Sequence, residues 1–289
     1  MDLLDELQDR IVPGDGAMGT ALFGMGAPMD CCLEELCISN PDLVRGVHES
    51  YLGAGARLLR TNSFGANTVR LARHGMEHRV SELNWSAAQL ARDTAKGRGV
   101  YIAGSVGPLG ISSEEAAARG LDREAIFNEQ IGALLDGGVR VIFLETFTDL
   151  NELLLAIYVK QSLHHCPVIA SLACSSDGRL PDGTPLTVAF EKLRAAEADI
   201  VGLNCVNGPE TMLQLFERCT RDVPSAAFPN GGSPEASEGH LKYSVSPEAF
   251  ARSAAALTQL GARLIGGCCG IGREHISAMV EALAASEPR

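Results

Sequence analysis

The sequence predicts an α/β fold, a (β/α)8 TIM barrel formed by one domain over residues 1–289. Eight short apolar or β-branched runs alternate with longer segments that show helical spacing. Most of these runs are apolar throughout, which is typical of strands covered on both faces, and the intervening helices favour parallel pairing. Eight such units in 289 residues match the usual size of this barrel. A doubly wound open sheet is the alternative that the periodicity leaves open.

The predicted strands are short, and each is followed by enough residues for a helix. In chain order they are Ile11–Val12, Arg57–Phe64, Val100–Pro108, Val139–Phe147, Pro167–Cys174, Asp199–Cys205, Pro224–Asn230 and Arg263–Cys269. Two connections, at 108–121 and 174–185, are longer than the others and follow strands. We therefore expect them on the face where barrel enzymes carry their active sites.

Two of the intervening segments have clear helical signals. One helix is predicted to begin at Pro41, after the candidate N-cap residue Asn40, and to end near Gly53 or Gly55. Apolar residues recur at helical spacing over residues 81–96, which predicts a second helix there.

The composition excludes several classes of protein. Lys and Arg total 24 and Asp and Glu total 36, and the resulting net charge of −12 argues against a nucleic-acid or anionic-membrane surface. The acidic, polar N-terminus does not resemble a signal peptide, and no run approaches the roughly 18 apolar residues of a membrane span. We therefore expect a cytoplasmic protein, in which nine cysteines serve as core thiols, metal ligands or nucleophiles and not as a disulfide framework.

Three cysteines lie at the ends of two predicted strands, Cys205 after the sixth and Cys268 and Cys269 after the eighth. Three thiols could bind one Zn²⁺ and leave its fourth position open, as in a catalytic site. Adjacent residues of a strand point to opposite faces, but the glycines of the segment GGCCG permit a backbone turn that would bring both thiols to one metal. Buried core thiols are the alternative. The remaining cysteines are expected to be packed thiols: Cys31, Cys32, Cys37, Cys166, Cys174 and Cys219.

Polar residues also follow other strands. Asp15 in GDGAMGT and Glu145 in FLETF are carboxylates at positions where an unpaired buried charge is costly. A structural ion pair would explain either one, and binding of the ammonium group of a small substrate is the alternative. An unrelated hydrolase or lyase that uses the two as acid and base is a third hypothesis. Asn62, Asn204 and Asn230 end further strands, and the dispersed histidines form no convincing Ser/His/Asp triad.

Seven motifs follow one another over nearly the whole chain: GDGAMGT, TNSFGAN, GSVGP, FLETF, NCVNGPE, PNGG and GGCCGIGREHI. With these motifs the chain resembles the homocysteine S-methyltransferase family. It is most similar to the homocysteine-binding module at the front of cobalamin-dependent methionine synthases and related folate-linked enzymes, and less similar to the betaine-dependent enzymes.

The resemblance implies a site and a reaction. It implies zinc on Cys205, Cys268 and Cys269, with the thiol of homocysteine as the fourth ligand and methionine as the product. Asp15 and Glu145 match the carboxylates that engage the amino group of homocysteine. Asn230 is grouped with them as a substrate-binding residue, and backbone groups near the ends of the second and third strands would hold the substrate carboxylate. No catalytic residue beyond the zinc site is expected.

The methyl donor is the least determined part of the prediction. The cobalamin-dependent relatives continue into folate, cobalamin and activation modules, whereas this chain ends at Arg289. A separate corrinoid or folate-binding partner is therefore expected to deliver the methyl group. A stand-alone enzyme that uses S-methylmethionine or a betaine, a module of a longer protein, and a non-catalytic zinc-binding docking module are the alternatives. The oligomeric state stays open, a homo-oligomer included.

Overall fold

A computed structural model describes residues 2–218, 225–237 and 240–286. Its ten strands are β1 (Val12–Pro13), β2 (Leu58–Arg60), β3 (Tyr101–Val106), β4 (Val141–Phe147), β5 (Val168–Leu172), β6 (Ile200–Asn204), β7 (Ser225–Phe228), β8 (Glu235–Ser237), β9 (His240–Lys242) and β10 (Ala262–Ile265). Eight of them form one parallel sheet, and β8 and β9 form a separate antiparallel hairpin.

Helices connect the strands of the sheet. They are α1 (Leu3–Asp9), α2 (Gly19–Gly24), α3 (Leu36–Ser39), α4 (Pro41–Gly53), α5 (Thr68–Leu71), α6 (Val80–Thr94), α7 (Ser113–Ala118), α8 (Arg123–Asp136), α9 (Leu150–Leu163), α10 (Leu186–Ala195), α11 (Pro209–Phe216), α12 (Pro247–Gln259) and α13 (Arg273–Ser286).

The parallel sheet closes on itself. Strands β2 to β7 pair in chain order, and β10 pairs with both β7 and β1. Gly14, just after β1, forms a parallel bridge with Leu58 of β2, which joins the two edges of the sheet. The predicted TIM barrel is confirmed, and closure excludes the doubly wound open sheet.

Apolar residues fill both faces of the strands. Along β4, Val141 and Phe143 belong to a cluster in the barrel interior, whereas Ile142 and Leu144 belong to the cluster between the sheet and the helices. Successive side chains of a strand alternate between faces, so a strand that is buried on both is apolar at most positions. Buried polar residues such as Arg60 and Glu145 occur near the carboxyl ends of the strands. Leu3 of α1 packs against the interior cluster.

The structure differs from the sequence prediction mainly at the carboxyl ends of the strands. The run predicted to end at Phe64 leaves the sheet after Arg60, and the run predicted to end at Cys269 leaves it after Ile265. Thr61 and Gly266 still donate to strand residues, whereas the amides of Gly267 and Cys268 donate to residues of neighbouring loops. These residues form the site described below. Helices α4 and α6 match their predictions, although Asn40 makes no side-chain capping bond. Pro224 of the seventh predicted strand lies outside the described residues.

Two elements were not foreseen. Helix α1 was not predicted, because its sequence is rich in polar residues. The β8–β9 hairpin between β7 and α12 was not predicted either. Within the described part of the chain, no helix is both long enough and apolar enough to cross a membrane.

Tyr51 of α4 connects the loops that follow β1 and β10. Its buried hydroxyl donates to the carbonyl oxygens of Ala17 at 2.7 Å and Ile271 at 3.2 Å. We predict that Tyr51→Phe lowers the free energy of unfolding by about 1–2 kcal/mol, because the carbonyl of Ala17 loses its hydroxyl donor, while that of Ile271 still accepts from the amide of Ala17. Urea denaturation measures this change. The matched variant Tyr158→Phe, at a position 59% exposed, should leave the stability unchanged, and equal effects of the two variants would contradict the assignment.

Candidate active site

A cavity of about 310 Å³ opens among the loops at the carboxyl ends of the strands. Its lining includes three thiols and four charged side chains: Cys205, Cys268, Cys269, Asp15, Glu34, Arg60 and Glu145. A larger groove of about 470 Å³ lies on the outer surface between α6 and α8 and contains no cysteine. The functional groups therefore converge in the smaller cavity, on the face where TIM barrels carry their sites.

The three cysteines of the sequence prediction come together. The sulfur atoms of Cys205, Cys268 and Cys269 all lie within 4.8 Å of one another, and those of Cys205 and Cys269 are 3.9 Å apart. Among the residues that the structure describes, this is the only group of three or more His, Cys, Asp or Glu side chains spaced to hold a metal ion.

The backbone around the thiols is held by bonds between neighbouring strand ends. Cys205 has a φ of 56°, a left-handed conformation that is uncommon without glycine, and its amide donates to the carbonyl of Phe228. The amide of Cys268 donates to the carbonyl of Pro229, and that of Ile271 donates back to Cys268. Strand β10, the eighth of the barrel, has already ended at Ile265, so a turn presents Cys268 and Cys269 to the same cavity.

Gly270 supplies the conformational freedom that the turn needs. Its φ is +80°, and a Cβ atom there would lie 2.1 Å from the ring of Tyr243. Gly266 and Gly267 have ordinary φ values, but a Cβ at either would lie within 2.3 Å of Phe228 or Ile271 respectively. The sequence analysis assigned the turn to all three glycines. The structure assigns it to Gly270 and gives the other two a role in close packing.

The three thiols share protons. Hydrogen bonds to Cys268 and Cys269 raise the pKa of Cys205 far above the ordinary thiol value. Hydrogen bonds donated by Cys205 and Cys268 lower the pKa of Cys269 to about 3. The cluster therefore holds one thiolate readily and resists losing further protons, so a cation that binds all three sulfur atoms must displace those protons.

The residues fit a bound metal ion. Thiolates are soft ligands that suit zinc, and three of them leave a tetrahedral ion one open position. Asn230 lies beside them, and its side-chain amide nitrogen is 3.4 Å from the carbonyl oxygen of Cys205. The buried side-chain oxygen of Asn230 has no hydrogen-bond partner among the described residues. Such an oxygen needs a donor or a cation. Asn230 is not among the residues that line the cavity.

Arg60 lies between the two predicted carboxylates. Its Nε donates to Asp15 Oδ1 at 2.7 Å, its backbone amide donates to Asp15 Oδ2 at 2.7 Å, and its Nη1 donates to Glu145 Oε2 at 2.8 Å. Its Nη2 donates to the carbonyl oxygens of Gly16 and Gly267, each at 2.7 Å. The ion pair that the sequence analysis considered for Asp15 and Glu145 therefore exists for both, with one shared partner.

Sequence reasoning missed Arg60. Its only local signal is a charged residue at the end of an apolar run, RLLR, and such a residue is usually solvated. In the barrel it is buried, and its guanidinium carbon lies 4.7 Å from the ring centre of Phe228 and 5.7 Å from that of Phe143.

Burial and ion pairing shift the pKa values of the three charged groups in opposite directions. Burial raises the pKa of Asp15 to about 6, although Arg60 lowers it. Burial also raises the pKa of Glu145, and Arg60 partly offsets that increase. Burial lowers the pKa of Arg60, but its two carboxylates outweigh that effect and keep it cationic. With all three groups ionised the cluster carries a net charge of −1.

Asn204 holds the end of β4 in place. Its side-chain oxygen accepts from the amide of Thr146 at 2.7 Å, and its amide nitrogen lies 3.4 Å from Glu145 Oε2. Thr146 has a φ of 64°, a strained conformation for a β-branched residue. Ser105 donates to the other oxygen of Glu145. Asn62, in contrast, donates to the carbonyl of Leu33 and takes no part in this network.

The other cysteines form no second site within the described residues. All eight described cysteines are free thiols, and among them Cys32 and Cys37 are buried. Cys219 lies outside the described residues.

The barrel and its cavity place the chain in the class of enzymes that act from the carboxyl-terminal face of a TIM barrel. A family model for homocysteine S-methyltransferase matches residues 13–283, and the chain belongs to this family. The resemblance carried by the seven motifs is therefore confirmed.

Individual relatives agree with the family. Methionine synthase of Mycobacterium tuberculosis (strain ATCC 25618 / H37Rv) is 31% identical over 308 residues, covering 98% of this chain and 25% of the relative. Methionine synthase of Mycobacterium leprae (strain TN) is 29% identical with the same coverage. The chain thus spans about a quarter of the length of the curated relatives it matches. The metallated form of the homocysteine methyltransferase MmuM from Escherichia coli is 26% identical, covers 98% of both chains and superposes with a TM-score of 0.78.

Gly270 provides a test of how the turn shapes the thiol cluster. If the three thiols bind a metal ion, we predict that Gly270→Ala weakens the binding of added Zn²⁺ by about tenfold or more, because the new methyl group strains the backbone and collides with Tyr243 beside the thiols. A chelator competition titration measures the dissociation constant. Gly272→Ala is the matched control, since its Cβ would meet nothing closer than 3.7 Å. Equal zinc affinity in both variants would contradict this role of Gly270.

Proposed function

We propose that this chain catalyses zinc-dependent transfer of a methyl group to the thiol of homocysteine, giving methionine. The observation that carries the proposal is the group of three sulfur atoms within 4.8 Å of one another in a cavity that also contains Asp15 and Glu145. Membership of the homocysteine S-methyltransferase family supports it, as does the likeness to a metallated homocysteine methyltransferase.

Cys205, Cys268 and Cys269 would hold the metal. Zinc would supply the acidity that converts the substrate thiol into a thiolate at neutral pH, since a free thiol with a pKa near 8.5 is mostly protonated there. Three cysteine thiolates carry more negative charge than the ion neutralises, so electron density stays on the substrate sulfur and the sulfur remains nucleophilic. A ligand set with more neutral donors would weaken that nucleophilicity.

The remaining residues orient the substrate. We assign the ammonium group of homocysteine to the acidic cluster around Glu145 and Asp15, and its carboxylate to the segments at the ends of β2 and β3. Residues 61–64 and Ser105 line the cavity there. Asn230, with its unpaired oxygen, is the third proposed substrate contact. Methyl transfer is a displacement that requires alignment, and no general base needs to contact the methyl group.

We further propose that a separate corrinoid or folate-binding protein delivers the methyl group. The cavity of about 310 Å³ is at the small end of ligand pockets, so it suits an amino acid, whereas a corrinoid would have to approach from outside. A small donor such as S-methylmethionine or a betaine is the alternative. The free thiols fit our proposal of a cytoplasmic location.

Removal of one thiol tests the metal and the reaction together. We predict that Cys268→Ser lowers the zinc content well below one ion per chain and reduces homocysteine methylation more than about 100-fold, because a metal ligand is lost. Metal analysis and methionine formation are the two measurements. Cys166→Ser, which changes a free thiol outside the cavity, is the matched control and should retain both properties. Full activity in metal-free protein would refute the proposal.

A donor screen tests the second part of the proposal. Homocysteine is supplied with methylcobalamin, methylfolate, S-methylmethionine or betaine in separate reactions, and methionine is measured. We expect slow turnover with free methylcobalamin and none with S-methylmethionine or betaine, because in our proposal the methyl group comes from a corrinoid or folate and not from a small sulfonium or ammonium donor. Rapid turnover with either small donor would overturn the assignment to a partner protein and leave the homocysteine assignment intact.

A further inference from the structure

The charged cluster of Asp15, Arg60 and Glu145 contains a cation, Arg60, and this cation changes which charged groups a substrate needs in order to bind. We propose that Arg60 determines acceptor specificity by reducing the site's requirement for an amino group, so that the enzyme also binds thiols that carry a carboxylate but no ammonium. The inference rests on the proposed function and deepens it, since it concerns the substrate class of the same site.

Arg60 cannot leave the cluster when a substrate arrives. Four of its donors are engaged, two by the carboxylates of Asp15 and Glu145 and two by the carbonyl oxygens of Gly16 and Gly267. Its side chain is 8% exposed. An incoming ammonium could displace the guanidinium only by breaking several short, buried, charge-assisted bonds, and these are the strong ones. The substrate therefore meets the cluster as it stands.

Solvent screens the positive charge of Arg60 only weakly, because its side chain is buried. The guanidinium lies against the rings of Phe228 and Phe143, which exclude water from one side of it. One of its donors binds the carbonyl oxygen of Gly267, the residue before Cys268, and the same cavity is lined by the three thiols. Charges in such apolar surroundings interact far more strongly than charges in water.

The net charge sets the selectivity. Two ionised carboxylates alone would present −2, which would attract an ammonium group strongly and repel a ligand with a carboxylate and a thiolate. With Arg60 between them, Asp15 and Glu145 present only −1. The cluster with Arg60 therefore penalises the loss of the ammonium group less than two unpaired carboxylates would. It also repels the carboxylate of such an acceptor less.

Three thiols that differ only in their charged groups test the inference. Homocysteine, 4-mercaptobutanoate without the amino group, and 3-mercaptopropylamine without the carboxyl group are titrated by calorimetry into the zinc-loaded chain, so that no methyl donor is needed. For the unaltered protein we expect 4-mercaptobutanoate to bind within about tenfold of homocysteine. A preference for homocysteine above about 1000-fold would overturn the inference without any variant.

Variants then test the charge itself. In Arg60→Gln, the ratio of the affinities of 3-mercaptopropylamine and 4-mercaptobutanoate should rise by about tenfold or more, because a positive charge is lost near the ligand. The double variant Arg60→Gln with Asp15→Asn restores a net charge of −1 and should return the ratio toward that of the unaltered protein. If Arg60 had only a structural role, Arg60→Gln would weaken the binding of all three thiols equally and leave the ratio of affinities unchanged. That result would overturn the inference.

Arg57 provides the matched control. It precedes the same strand at the opposite end of the barrel, where it pairs with Glu6 at 3.3 Å, and Arg57→Gln should change none of the three affinities. The outcome also separates this inference from the proposed function. If no thiol binds the zinc-loaded protein, the proposed function fails. If the thiols bind but the ratio of their affinities does not change with the charge at position 60, only the proposed role of Arg60 is wrong.

Discussion

The buried guanidinium of Arg60 is the interaction on which the organisation of the site depends. It bonds to the loop after β1 through Asp15 and Gly16, to the loop after β10 through Gly267, and to β4 through Glu145. These contacts join the ends of four strands, and the contacts from β2 to the loops after β1 and β10 require the closed barrel. An arginine can do this because its planar group offers five donors in a fixed arrangement.

The cluster depends in turn on small residues that bring the backbone segments close together. A Cβ atom at Gly16 would lie 2.3 Å from the carbonyl oxygen of Ile271, and one at Gly266 would lie 2.3 Å from the ring of Phe228. Glycine at position 16 lets the loop after β1 approach the backbone of Ile271, and glycine at position 266 lets the loop after β10 approach the ring of Phe228. The thiols and the charged cluster therefore share a compact site, in which a substrate of amino-acid size can contact both.

Strain and proton sharing are concentrated in the same place. Thr146 and Cys205, at the ends of β4 and β6, both have left-handed backbone conformations, and Asn204 supports the first of them. The three thiols share protons in a way that opposes full ionisation without a cation. Conformations of this kind persist where the surrounding structure holds them, and they are typical of functional sites.

Apolar runs between helical segments predicted strands covered on both faces, because that pattern is local, and their number favoured a barrel over an open sheet. The approach of Cys205, Cys268 and Cys269 was also predicted, since the carboxyl ends of parallel strands converge. The contacts of the carboxylates could not be predicted in this way. Arg60 is 45 residues from Asp15, which it meets because the barrel closes between β1 and β2. It is 85 residues from Glu145, which it meets because only β3 separates their strands. No local pattern marks a charge whose neutralisation depends on residues so distant in the chain.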